Sequence, residues 1–192
     1  AGILLVLTGL GFKLALVPFH LWTPDVFQGS LMPVAAYVAT VSKTAVVALL
    51  LRALEPVATT DRLATVLSVL ALASLPVGTL LALPQSSLKR LLGFSSVAHM
   101  GYLLVALVAG GSSGAAAATF YLAAYAVTSL VAFGVPIVLS AAGIEADDIE
   151  GLRGLARHRP LLDAMLAVAM LSLAGLPPTA GFVGKLALMG AG

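Results

Sequence analysis

The chain has 192 residues, 60% of them hydrophobic and 9% charged, with a mean hydropathy of +1.10. A soluble domain carries about 25% charged residues, so this composition excludes a soluble class and calls for a polytopic helical membrane protein. A formal net charge of +2 gives no reason to expect nucleic acid as a partner, and the lack of cysteine excludes disulfides, thiolate metal sites and iron–sulfur clusters from the chain.

Six hydrophobic spans follow in order. Span one covers 2–28 and breaks near 17–19, where Pro18 removes a backbone donor and clashes with the preceding turn. A short amphipathic helix is expected to continue from the break to Gln28. Span two covers 31–54, with Pro33 in its first turn. The connector 55–61 is polar, and Asp61 suits an N-cap. Span three covers 62–83, with a kink expected at Pro76. Span four covers 87–110, between Pro84-Gln85-Ser86-Ser87 and Gly110-Gly111. Span five covers 114–142 and is long enough to tilt, or to kink at Gly134-Val135-Pro136. The extended polar segment 145–160 follows. Ile149, Leu152 and Leu155 share a face there, which predicts an interfacial helix at 145–159. Span six covers 161–192 and breaks near 176–181, at Pro177 and Pro178. The chain begins and ends inside hydrophobic runs, so it is expected to be a piece of a longer protein. Its first span can itself act as a signal for insertion.

Orientation follows from Lys and Arg in the short loops. The loops after spans one, three and five carry Lys89, Arg90, Arg153, Arg157 and Arg159, against Arg52 and Arg62 on the other side. That bias puts the first group in the cytoplasm. The broken spans one and six cross in opposite directions, which is the mark of an inverted repeat. The expected fold is therefore an all-α polytopic transmembrane helix bundle with inverted repeats and two discontinuous helices.

An ionisable group at membrane depth is costly and usually marks an ion or proton path. Lys43 sits mid-span, with Ala36, Ala39 and Thr40 beside it on the helix. These small neighbours let another helix or water come close. Snorkelling is the ordinary alternative, but about ten residues separate Lys43 from either end, roughly 15 Å at 1.5 Å per residue. Lys13 precedes the first break, whose freed carbonyls could hold an ammonium group. Lys185 follows the second. Either could instead be an ordinary helix-end lysine.

His20 and His99 could relay protons, since imidazole titrates nearest neutrality; a satisfied core histidine is the commoner outcome. Ser95, Ser96, His99 and Tyr102 share one helix face. Tyr121, Tyr125 and Thr128 do the same in span five. The two stripes could line water or hydrogen-bond to one another. Asp25 and Asp163 suit caps or interfacial charges, Trp22 an interfacial anchor, and Lys89 and Arg90 topology determinants. The sequence contains no phosphate-binding loop, no metal-ligand spacing and no nucleophile–base pairing, so no catalytic, cofactor-binding or metal residue is assigned.

The run from Phe12 to Gly29, with Pro18-Phe19-His20-Leu21-Trp22-Thr23-Pro24-Asp25 at its centre, resembles the signature of the antiporter-like membrane subunits of respiratory complex I. Thr40-Val41-Ser42-Lys43 follows at the family's spacing. The segments Lys89-Arg90-Leu91-Leu92-Gly93-Phe94-Ser95-Ser96-Val97-Ala98-His99-Met100-Gly101-Tyr102 and Gly175-Leu176-Pro177-Pro178-Thr179-Ala180-Gly181-Phe182-Val183-Gly184-Lys185 match as well. One departure is Ser30-Leu31-Met32-Pro33, where many relatives have Ala-Pro-Thr-Pro.

The resemblance covers essentially the whole chain. It implies fourteen helices, of which these are the seventh to the twelfth, with the seventh and twelfth discontinuous. It implies a proton-translocating subunit of NADH–quinone oxidoreductase, in which Lys13 pairs with a glutamate on the family's fifth helix, Lys43 is the central lysine and Lys185 the exit-side lysine. NADH, FMN, iron–sulfur clusters and quinone then belong to partner subunits. Neighbours similar to subunits M and K, a lipid bilayer, no nucleic acid and a bacterial inner-membrane location follow from the same resemblance. The alternatives are a subunit of a multisubunit sodium–proton antiporter, a hydrogenase-linked ion pump, or a spacer in an assembly. Buried lysines argue against the spacer, since leucine would serve it as well.

Overall fold

A computed structural model describes residues 2–54, 61–141 and 147–191. The polar connector at 55–60, the side chain of Asp61 and the start of the 145–159 segment lie outside the described residues. The described elements are helical: α1 (Gly2–Leu14), α2 (Trp22–Gly29), α3 (Met32–Tyr37), a π-helical turn (Val38–Ser42), α4 (Lys43–Leu54), α5 (Asp61–Ala82), α6 (Leu88–Ala109), α7 (Gly111–Ala141), a 3-10 turn (Glu150–Leu152), α8 (Leu155–His158), α9 (Pro160–Ala174) and α10 (Ala180–Gly190). Among the described residues four stretches are long and apolar enough to cross a membrane: Met32–Arg52, Arg62–Ala82, Leu88–Ala109 and Gly111–Ala141. α1 with α2, and α9 with α10, are the two interrupted spans. With no water to satisfy backbone groups in lipid, helices of this length are the natural form for such runs.

Local chemistry sets the helix ends. Ser87 caps α6 by accepting from the Arg90 amide at 3.4 Å, and Thr179 caps α10 by accepting from the Phe182 amide at 3.4 Å. Pro33 and Pro160 lie in the first turns of α3 and α9, where a missing N–H costs nothing. Pro76 and Pro136 are carried inside the continuous helices α5 and α7.

Both breaks share one backbone form. At the end of α1 the Ala15 amide donates to Phe12 O and the Leu16 amide to Gly11 O. At the end of α9 the Gly175 amide donates to Ser172 O and the Leu176 amide to Leu171 O. Each is a Schellman motif, with the residue after the helix in the left-handed region: φ is 62° at Ala15 and 83° at Gly175. Proline follows three residues later in each, at Pro18 and Pro178, and the peptide bond before each is cis.

α6 lies at the centre. It is buried along most of its length, from Leu88 to Leu107, and is flanked by α5, α7, α2 and α10. Gly78 and Gly101 let the backbones of α5 and α6 approach: a Cβ at Gly78 would stand 2.5 Å from the Ala98 amide nitrogen. A smaller apolar cluster of Val135, Leu139, Leu155 and Leu166 joins the end of α7 to α8 and α9. Where the apolar periodicity of 145–159 predicts one interfacial helix, the described part forms the 3-10 turn and α8, separated at Arg153-Gly154. Leu155 turns inward to that cluster while Ile149 stays 39% exposed, so the three residues do not share one face.

Candidate functional site

The bundle core holds a polar array on a largely apolar scaffold. Lys43 is fully buried, at 0% exposure. It begins α4, directly after the π-helical turn. Its ammonium donates to Ser96 Oγ on α6 at 2.5 Å, and among the described residues no carboxylate pairs with it. The Tyr125 hydroxyl on α7 donates to Ser96 Oγ at 2.8 Å and lies 3.2 Å from Ala39 O. Ala39 falls within the π-helical turn, where an extra residue per turn shifts the carbonyls out of the regular ladder. The small residues beside Lys43 thus admit a neighbouring helix.

His99 comes next along α6, buried at 4% exposure. Its Nδ1 and the Tyr121 hydroxyl hydrogen-bond at 2.6 Å, the tautomer deciding which donates. Its ring centroid lies 5.1 Å from that of Tyr125 and 6.5 Å from that of Tyr102. Lys185 on α10 completes the array. Its ammonium sits 4.8 Å above the Tyr102 ring centroid, as a cation–π contact. It donates to Leu173 O and Ala174 O, both at 3.0 Å. These are carbonyls at the end of α9, freed by the second break. Gly184 lets α10 press on Tyr121, since a Cβ there would stand 2.7 Å from Tyr121 Cδ2. An open cavity of about 340 Å³ is lined by Ser95, His99, Tyr102, Lys185 and Thr79 together with apolar residues of α5, α6 and α9.

Seven of the residues singled out in the sequence therefore meet: Lys43, Ser96, Tyr125, His99, Tyr121, Tyr102 and Lys185. Ser95 joins them at the cavity. The others stand apart. Thr128 donates to Ala124 O of its own helix at 2.6 Å and faces Ser172 at 3.5 Å. Lys13, in the last turn of α1, is exposed on the surface of this bundle. The carbonyl beside it, Phe12 O, which accepts from the Ala15 amide, accepts also from Trp22 Nε1 at 2.9 Å. His20 lies in the first break, buried at 7% exposure; its Nδ1 and the Oγ1 of fully buried Thr23 have no hydrogen-bond partner among the described residues. Pro18 lies in the first break, and Pro177 and Pro178 in the second.

Some contributors were not singled out from sequence. Ser74 on α5 accepts from the Val17 amide at 3.0 Å and donates to Leu70 O at 2.6 Å, so it satisfies a donor freed by the first break. A lone serine two residues before Pro76 is its only trace in the sequence. Trp22, expected as an interfacial anchor, also caps α1, and Lys89 and Arg90, expected as topology determinants, bind α2. Among the described residues no three His, Cys, Asp or Glu side chains stand together as a metal site.

Two interrupted spans around a fully buried lysine define a class: a polytopic all-α membrane protein. The family described as NADH:quinone oxidoreductase/Mrp antiporter, TM, matches residues 1–192, and the chain belongs to that family. A curated relative, NADH-quinone oxidoreductase subunit N of Chromohalobacter salexigens, is 52% identical over all of this chain and 41% of its own length. Among solved structures, a chain of respiratory complex I from Thermus thermophilus with bound aureothin is similar at a TM-score of 0.82 and 46% identity, over 97% of this chain and 41% of that one. A chain of the Mrp complex from Dietzia is similar at a TM-score of 0.87 and 27% identity, over 97% of this chain and 35% of that one. The chain thus spans about two fifths of the length of the curated relative.

Proposed function

We propose that this chain is part of a proton-translocating subunit of an NADH–quinone oxidoreductase, corresponding to subunit N, and that protons pass along Lys43, His99 and Lys185. The observation that carries the reading is the burial of Lys43 with a serine hydroxyl as its partner and, among the described residues, no carboxylate. Removing an ammonium group from water costs several kcal/mol when no counter-ion offsets it. A leucine there would cost nothing of the kind, so a purely structural subunit has no use for the lysine.

Ser96 and Tyr125 hydroxyls extend the path from Lys43, because each both donates and accepts. His99 and Tyr121 form the next station, and Lys185 beside Tyr102 the last. The junctions between stations are ring contacts rather than hydrogen bonds, so water has to complete them. The 340 Å³ cavity at the last junction has room for several water molecules, each taking about 30 Å³. Charge supplies the coupling. A unit charge added or removed about 8 Å away is worth roughly 2 kcal/mol at an effective dielectric of 20, or about a thirtyfold change in proton affinity. That is enough to load or discharge a poised lysine. Lys13, facing out of this bundle, fits a partner charge such as the family's fifth-helix glutamate. His20 sits at the break beside it.

The redox chemistry belongs to partner subunits, which would hold NADH, FMN, iron–sulfur clusters and quinone. Neighbours similar to subunits M and K, a bacterial inner-membrane location and cytoplasmic loops after spans one, three and five complete the reading. The second reading, a sodium–proton antiporter subunit, draws on the likeness to the Mrp chain, but 52% identity to a subunit N against 27% favours the first. Inverted vesicles containing the full-length subunit separate the two. Lys43→Ala is expected to lower the NADH-driven pH gradient severalfold, with no gradient driven by sodium. Full NADH-driven pumping by Lys43→Ala would overturn the path, and a sodium-driven gradient indifferent to NADH would establish the second reading.

A further inference from the structure

The half-helix α2 is separated from α1 by the break at residues 15–21, so helical hydrogen bonding does not carry its position across. Side-chain contacts must set it: Trp22 Nε1 reaches back to Phe12 O of α1 at one end, and the remaining polar contacts gather at the first turn of α6. Arg90 donates through Nη1 to Asp25 Oδ1 at 2.7 Å and to Gln28 Oε1 at 3.0 Å, and through Nε to Gln85 Oε1 at 3.1 Å. Lys89 lies 3.4 Å from Gln28 O and 3.2 Å from Ser30 O, where a cation suits the carbonyls at a helix C-terminus. One turn further on, Gly93 lies against α2; a Cβ there would stand 3.1 Å from Pro24 Cα. The same first turn also holds Asp147, since Lys89 pairs with it at 3.8 Å and Ser87 donates to it at 3.1 Å.

We infer that Lys89 and Arg90 form a clamp that positions α2, and with it the first break, against α6, the helix that carries Ser96 and His99. They are positioning residues for the proton path, and the inference rests on the function proposed above. A lone exposed ion pair would be too weak for this, at about 0–1 kcal/mol. Here one planar guanidinium meets three acceptors, a geometry that lysine cannot reproduce, and a second cation holds the end of the same half-helix.

The test uses the full-length subunit in the assembled complex, with two readouts: amide hydrogen exchange over residues 22–29 and protons moved per NADH oxidised. Arg90→Gln and Asp25→Asn are each expected to speed exchange over 22–29 at least fivefold, leave exchange over 43–54 unchanged, and halve the proton yield or lower it further. Exchanging the charges, Asp25→Arg with Arg90→Asp, is expected to bring both readouts back towards wild type. If Arg90→Gln lowers the amount of assembled complex, Arg90→Lys, which keeps the charge and loses the fork, is expected to move both readouts in the same directions. Unchanged exchange in both single variants would overturn the clamp. So would faster exchange at full proton yield, or a charge-exchanged pair no better than the worse single variant. Lys43→Ala, measured alongside, reports on the proposed path alone: full yield from it sinks that path, while exchange over 22–29 still decides whether Arg90 holds α2.

Discussion

The two breaks have the same backbone and different occupants. Each ends its first half-helix in a Schellman motif and turns at a left-handed residue, Ala15 in one and Gly175 in the other. In each, a side chain from the returning segment reaches back to carbonyls at the end of the first half. At the first break that group is the neutral indole of Trp22, on Phe12 O. At the second it is the Lys185 ammonium, on Leu173 O and Ala174 O. One backbone device thus brings a charge to the polar core in one place and a neutral cap in the other, leaving Lys13 to face outward. The left-handed residue follows the occupant. A Cβ at Gly175 would stand 2.9 Å from both Cδ and Nζ of Lys185, whereas Ala15 carries its methyl group fully buried. Glycine at 175 serves the φ angle and the lysine together; at 15 only the angle is at stake, and alanine is tolerated.

Substitutions at the breaks sharpen this contrast. The largest effect is expected at Gly181, where a Cβ would stand 1.8 Å from Ser172 O, a backbone atom that cannot swing aside. Gly181→Ala should force α9 and α10 apart and destabilise the subunit by about 3 kcal/mol or more, beyond ordinary overpacking. Thermal unfolding of the purified complex measures it, and a wild-type midpoint would refute the close approach of the two half-helices.

Gly175→Ala should cost about 1–2 kcal/mol for the left-handed angle alone and also lower the proton yield, because Lys185 must move. The reverse exchange, Ala15→Gly, should fall within about 1 kcal/mol of wild type. Relief of about 1–2 kcal/mol of strain is set against about 0.8 kcal/mol for the lost buried methyl and 0.5–1 kcal/mol of chain entropy. Full proton yield from Gly175→Ala would mean that the Lys185 position does not matter to transport.

The smallest effect is expected from Trp22→Phe. It keeps the stack on Phe12, now at 5.5 Å between ring centroids, and removes one partly exposed hydrogen bond. A loss of about 1 kcal/mol with unchanged pumping is expected. A pumping defect as large as that of Gly175→Ala would make the first cap more than structural.

Much of the architecture was legible in the chain itself. Pro18 and Pro177-Pro178 locate both interruptions, because proline acts on its own turn. The depth of Lys43 follows from its place in the Met32–Arg52 run. The polar stripe Ser95, Ser96, His99 and Tyr102 lies on the face expected from helical spacing, and three of its members enter the array directly. The outcome at 145–159 was less legible. Its apolar spacing suits a helix, but Leu155 finds the Val135 cluster while Ile149 remains out, a result set by what α7 and α9 present to it.

Three lysines beside apolar helices and prolines look much alike in the sequence, and the structure separates them. Lys43 meets Ser96 from 53 residues away, Ser74 reaches Val17 across 57, and Arg90 meets Asp25 across 65. Composition, span length and helix interruption are local properties, governed by the solvation of the backbone and of each side chain in lipid, so the sequence by itself determines them. Which hydroxyl faces which ammonium, and whether a break is capped by tryptophan or by lysine, depends on how helices distant in the chain rotate and pack. Those partnerships exist only in the tertiary structure.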